Sequence, residues 1–144
     1  MLSIPRLSLA EARELIAGAT EHAEHIGVPM CISVVDESGN LVAFERMDGA
    51  KILSVQLSAD KAFTSAIARR PTHIYNDLCQ PGSLVYGIHT SSDGRFSLVG
   101  GGYPVIADGD TVGGIGCSSG TPEQDMECAR AGLERLFGDE VEYE

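Results

Sequence analysis

Residues 97–125 constrain this chain more than any other stretch. They read Ser-Leu-Val-Gly-Gly-Gly-Tyr-Pro-Val-Ile-Ala-Asp-Gly-Asp-Thr-Val-Gly-Gly-Ile-Gly-Cys-Ser-Ser-Gly-Thr-Pro-Glu-Gln-Asp. Two short apolar runs, 104–107 and 111–117, flank Asp108-Gly109, a strong hairpin signal. The second run carries glycines at 113, 114 and 116. These weaken a strand unless another backbone, a bulge or a ligand comes close. Thr121-Pro122-Glu123-Gln124 then opens a helix, with Thr121 as cap, Pro122 at the first helical position and Gln124 completing a capping box. The stretch therefore predicts a strand, a hairpin, a glycine-lined strand and a helix.

With 144 residues the chain is long enough for one domain with a real core. That domain is expected over 1–138, followed by an acidic tail at 139–144 in which Asp139, Glu140, Glu142 and Glu144 are solvated. A net charge of −11 argues against nucleic acid and anionic membrane as partners, since both need a basic surface. Cys31, Cys79, Cys117 and Cys128 form no C-x-x-C pair, so no zinc or dithiol motif is supported. Cys31 and Cys117 fall inside apolar strand patterns and read as small buried hydrophobes. Without a basic, then apolar, leader or an apolar run of about 20 residues, the expected setting is reduced and cytoplasmic.

Ser8-Leu9-Ala10-Glu11 is a second capping box. Leu9, Ala12, Ile16, Ala19, Ala23 and Ile26 continue it as one apolar stripe that Gly27 closes. His22 and His25 lie beside the stripe at a spacing that lets both imidazoles face one side. They read as surface histidines or as ligands of a metal or haem iron. Residues 30–36 and 41–47 form a hairpin through the turn Glu37-Ser38-Gly39-Asn40. Arg46 shares a face with Phe44, which predicts an ion pair with Asp48 or Asp60, or else a hold on an anion. Residues 52–70 read as a helix, broken near Ser54 and covered on both sides. Ala59, Ala62, Phe63, Ala66 and Ile67 make one face, and Leu57, Lys61, Thr64 and Ala68 the other. Thr72 caps a short helix. Residues 85–89 read as extended, 95–99 as a strand, and 121–137 as the last helix. The order helix, two strands, helices, three strands, helix predicts an α+β fold with a five-stranded antiparallel sheet.

Catalytic signatures are absent: there is no G-x-S-x-G, Walker loop or H-E-x-x-H. Gly100-Gly101-Gly102 lacks the strand-then-helix setting of a dinucleotide loop and reads as a turn or bulge. Its amides can still hold a carboxylate. His73 and His89 lie in loop-like surroundings, where either can ligate a metal or move a proton.

Several segments together carry a family resemblance. They are Gly27-Val-Pro-Met-Cys-Ile-Ser-Val-Val-Asp36, Leu41-Val-Ala-Phe-Glu-Arg-Met-Asp-Gly-Ala50, Lys61-Ala62 with Thr64, Arg70-Pro-Thr72, Gly100-Gly-Gly-Tyr-Pro-Val105, and Val112-Gly-Gly-Ile-Gly-Cys-Ser-Ser-Gly120 with Gln124-Asp125. The chain resembles the GlcG/HbpS-like family, which includes the C-terminal domain of the corrinoid adenosyltransferase PduO. The resemblance implies a profilin-like fold, homo-oligomers from dimer to octamer, and haem as the cofactor. It places the iron ligand at His22 or His25 and brings Thr64 near the pocket.

Three readings follow. The favoured one is a small-molecule-binding module for haem or a related tetrapyrrole, with Arg46, Lys61 or Arg70 as the cation for its propionates. Four Phe, four Tyr and no Trp leave little aromatic surface for a deep haem cleft. The second is an enzyme acting on a small organic acid. There Arg46 or Lys61 holds the carboxylate, and Asp48, His73 or His89 transfers a proton. The third is a structural or regulatory oligomer without chemistry.

Overall fold

Both predicted capping boxes form. The Ser8 hydroxyl accepts the Glu11 amide and starts α1 (Leu9–Ile26), and Thr121 accepts the Gln124 amide and starts α4 (Pro122–Phe137). Gly27 ends α1 with φ 70°, the left-handed conformation that glycine adopts without strain. Between these helices run β1 (Cys31–Asp36), β2 (Leu41–Arg46), α2 (Leu53–Ala68), α3 (Thr72–Leu78), β3 (Gly102–Ala107) and β4 (Asp110–Ser118). This computed structural model describes residues 1–144.

The strands form one antiparallel sheet in the order β2-β1-β4-β3. Helices α1 and α4 cover one face, where Leu15, Ile16, Ile32, Val34, Val105, Ile115 and Leu133 make the core. α2 covers the other face. The α+β class holds, but with four strands rather than five. Residues 95–99 do not pair as a strand. Side-chain hydroxyls take over from a ladder there. Thr64 Oγ1 accepts the Ser97 amide at 2.8 Å and donates to the Arg95 carbonyl at 3.3 Å. Thr72 Oγ1 donates to the Val99 carbonyl at 2.6 Å and accepts the Gly102 amide at 3.0 Å. Residues 85–89 are turns running into a 3-10 helix at Ile88–Thr90, not an extended segment.

α2 is unbroken at Ser54, and its buried side differs from the expected one. Ser54, Ser58, Lys61, Thr64 and Ser65 are buried beside Ala62 and Ala66, whereas Ile67 is exposed. The glycines of β4 explain this. A Cβ on Gly116 would collide with the Ser58 carbonyl and stand 2.6 Å from the Ala62 nitrogen. α2 thus lies directly on the sheet, where only small side chains or hydrogen-bonded ones fit. Ser58 bonds Ser33 at 2.8 Å, and Ser54 bonds Ser118 at 2.9 Å. The end of the chain is only partly a solvated tail. Its acidic side chains are exposed, but Val141 and Tyr143 pack on the core, with Tyr143 5.6 Å from Tyr103 between ring centroids.

Candidate functional site

Two clefts hold predicted site residues. The larger, about 730 Å³, lies between α1 and α4, within the roughly 300–1,000 Å³ of ligand pockets. The three-residue spacing on α1 does what helix geometry dictates and brings both imidazoles to it. The rings of His22 and His25 stand 6.2 Å apart between centroids. Glu127 of α4 holds His22 Nε2 at 3.3 Å. Apart from Ala131 the lining is polar or glycine: Glu21, Glu24 and Glu134 bring three carboxylates, and Arg135 is already engaged by Glu14 at 2.9 Å and Glu21 at 3.4 Å. For haem, the donor set fits, since two accessible imidazoles suit iron. The walls of one protomer do not enclose a porphyrin, because three carboxylates and one alanine give it no apolar face.

The smaller cleft, about 100 Å³, lies where β4 runs into α4 against α2. Its floor is a fully buried ion pair. Lys61 Nζ donates to Asp125 Oδ2 at 2.8 Å and to the Cys117 carbonyl at 2.9 Å. Asp125 Oδ1 accepts the Gly120 amide at 2.9 Å, which ties the sheet to the first turn of α4. Each charge is hydrogen-bonded on more than one side, which offsets part of the cost of burying it.

The remaining predicted residues are dispersed. Arg46 is exposed and forms no ion pair; Asp60 pairs with Arg95 instead, at 3.5 Å. Its register partner Cys31 lies beside Ser118, so Arg46 ends a row Arg46–Cys31–Ser118 across three strands. Lys61 does not stand free as an anion hook, because it is committed to Asp125. Thr64 faces no cleft and serves as the hydroxyl latch on residues 95–97. Asp48 and Arg70 are exposed. His73 packs 5.9 Å from Tyr103, and its buried Nδ1 has no partner. His89 Nδ1 lies 3.3 Å from Cys79 Sγ. Arg46, Asp48, His73 and His89 line neither cleft. Of the two predicted carboxylate holders, Arg46 lines neither cleft and Lys61 is bonded to Asp125 and the Cys117 carbonyl, and the predicted proton carriers Asp48, His73 and His89 converge on neither.

Sequence reasoning missed Ser54, Ser118 and the role of Asp125. One signal was present: Ser54, Ser58, Lys61 and Ser65 recur at spacings of three and four, a polar stripe on a helix that otherwise reads apolar. Burial also marks the cysteines. It pushes the Cys128 thiol up to about 12 and raises those of Cys31 and Cys117, so none is a ready thiolate. No helix is long and apolar enough to cross a membrane.

The comparisons with known proteins agree with this architecture. The family model described as haem degrading protein HbpS-like matches residues 7–134. A 15.0 kDa protein from the dhaT-dhaS intergenic region of Citrobacter freundii is 38% identical over 131 residues, covering 91% of this chain and 92% of that protein. The corrinoid adenosyltransferase PduO of Salmonella typhimurium is 35% identical over 127 residues, which are 88% of this chain but 38% of PduO. Protein GlcG of Escherichia coli is 32% identical over 115 residues, 78% of this chain and 81% of GlcG. Among solved structures, Klebsiella pneumoniae protein ORFY superposes with a TM-score of 0.93 at 33% identity, covering 97% of each chain. A PduOC:haem complex gives 0.89 at 33% identity, covering 96% of this chain and 98% of that one. The chain belongs to the HbpS-like family.

Proposed function

We propose that this protein binds haem, with the iron held by an imidazole of the His22–His25 pair. The observation that carries the reading is the pair itself: two accessible imidazoles at the mouth of a cleft of about 730 Å³, in a fold whose close structural neighbour is a PduOC:haem complex. A His22 ring that donates from Nε2 to Glu127 leaves Nδ1 free as ligand atom. The carboxylate then orients the ring. His25 is exposed and offers the alternative donor. When bound, haem supplies the redox chemistry of its iron, and the protein supplies ligation and access.

The polar lining of the cleft says what else is needed. One protomer gives the ligand, and a second copy has to give the apolar wall. Ile52, Leu53 and Leu84 are 80%, 69% and 105% exposed, which is apolar surface available for that purpose. The protein is accordingly proposed as a cytoplasmic homo-oligomer, between dimer and octamer. Haemin titration tests the reading. A saturable shift of the Soret band is expected, weakened in His22→Ala or His25→Ala, with scattering-coupled gel filtration giving the subunit number. An unshifted, non-saturating spectrum, or one unchanged in His22→Ala/His25→Ala, refutes it.

A further inference from the structure

We propose that the small cleft between α2 and the start of α4 is a binding site for a carboxylic acid of two or three carbons. The site is separate from the histidine cleft and does not depend on the haem reading. Its basis is hydrogen-bond accounting. Lys61 has three N–H donors and uses two, on Asp125 and the Cys117 carbonyl. Ser54 and Ser118 share a single bond, so one of their two hydroxyl protons is unspent. All three side chains are at least nine-tenths buried, at 0%, 1% and 3% exposure, and all line this cleft. Each of these atoms has at least one partner already, and the spare hydroxyl proton is what an acceptor entering the cleft takes up.

The shape and charge of the cleft select that acceptor. A volume of about 100 Å³ corresponds to about three waters, which suits a two- or three-carbon acid. Asp125 has its two oxygens turned to Lys61 and to the Gly120 amide, so the ion pair is balanced. Lys51 at the rim then leaves the cleft net positive, on a chain of charge −11. The 16-residue helix α4 begins here and adds its N-terminal dipole in the same sense. Leu57, Val99 and Pro122 supply apolar wall for the carbon end. The backbone is also held out of its ordinary range at this point. Ser119 has φ 129°, and its hydroxyl accepts the Lys51 amide at 3.0 Å. Strain of this kind persists where the surroundings over-determine a conformation, as they do at ligand clamps. The carboxylate accepts from the Ser54–Ser118 pair, above the Lys61–Asp125 floor, while its carbon end meets Leu57 and Val99.

The test is an amide-resolved NMR titration of the whole chain with sodium acetate and sodium lactate. Sodium chloride at matched ionic strength, sodium phosphate and sodium citrate serve as comparisons. Saturable shifts at residues 54–61 and 118–121 are expected from acetate and lactate, with a Kd on the order of 1 mM for so few atoms. Ser54→Ala/Ser118→Ala removes both hydroxyls together and so leaves no orphan partner. It should keep the parent's circular dichroism and weaken binding about tenfold or more. Lys51→Met should weaken binding less. The proposal is overturned by an absence of saturable shifts, by equal shifts from chloride or phosphate, by citrate binding as well as acetate, or by a double variant that binds like the parent. Haemin binding is read by its own spectrum, so either reading can fail alone.

Discussion

Replacing Lys61 by Met should cost this protein a large part of its stability. The Lys61 side chain is 0% exposed and that of Asp125 3%, and Nζ–Oδ2 is 2.8 Å. Lys61→Met leaves a buried carboxylate with only the Gly120 amide as partner, and a Cys117 carbonyl without its donor. Breaking a buried pair from one side costs about 3–5 kcal/mol. Stability for a domain is about 5–15 kcal/mol, so the single variant is left marginal. Asp125→Asn keeps an acceptor for Gly120 but strands a buried ammonium, at a similar cost. In Lys61→Met/Asp125→Asn neither charge is stranded, so the double variant should lose less than the sum of the singles by about 2–3 kcal/mol. Urea denaturation followed by circular dichroism measures all four proteins. In thermal melts each single variant should fall by about 10 °C, at about 3 °C per kcal/mol for this length. Single losses below about 1 kcal/mol, or strictly additive losses, would refute the account of α2 as anchored to α4 through a charge pair.

The hydroxyl latch predicts that Thr64→Val, which orphans the Ser97 amide, costs about 1–3 kcal/mol while Thr64→Ser is tolerated; chemical denaturation decides, and equal loss in both would assign the effect to packing. Hydrogen bonds from Arg6 pull the Glu37 carboxyl down to about 2, from an ordinary value of 4.5. A depressed carboxyl stabilises the fold above its unfolded value, and that stabilisation is lost as pH falls through its folded value. Thermal melts of Arg6→Ala should therefore lie below the parent at neutral pH and converge with it as pH falls from about 4.5 to about 2; a pH-independent gap would contradict this. Thiol titration of the native protein at neutral pH should leave Cys31, Cys117 and Cys128 unmodified, with all four thiols reacting once unfolded.

What the residues declare on their own is local. Ser8-x-x-Glu11 and Thr121-x-x-Gln124 start helices because each satisfies its own orphan amides, and Asp108-Gly109 turns a hairpin because both positions take positive φ, at 51° and 83°. The glycines at 114 and 116 announce a close approach without naming what approaches. The His22–His25 pair was legible for the same reason, since a helix repeat alone puts the two rings on one side.

Residues 95–99 read as a strand because periodicity sees only one chain segment. The hydroxyls of Thr64 and Thr72 that replace its ladder come from about 30 positions away. Lys61 looked like a free cation because burial is invisible in one dimension. Asp125, 64 positions on, is what makes its burial possible. Ser54 and Ser118 are likewise 64 positions apart and meet only because α2 lies flat on the glycines of β4. The sequence by itself determined the helix starts, the hairpin turns and the histidine pair, all set by neighbours within a few residues, and the family, through segments spread over most of the chain. The tertiary structure alone decided the strand number, the fate of Arg46 and Lys61, and the small cleft, because a polar group's role depends on which distant partner satisfies it.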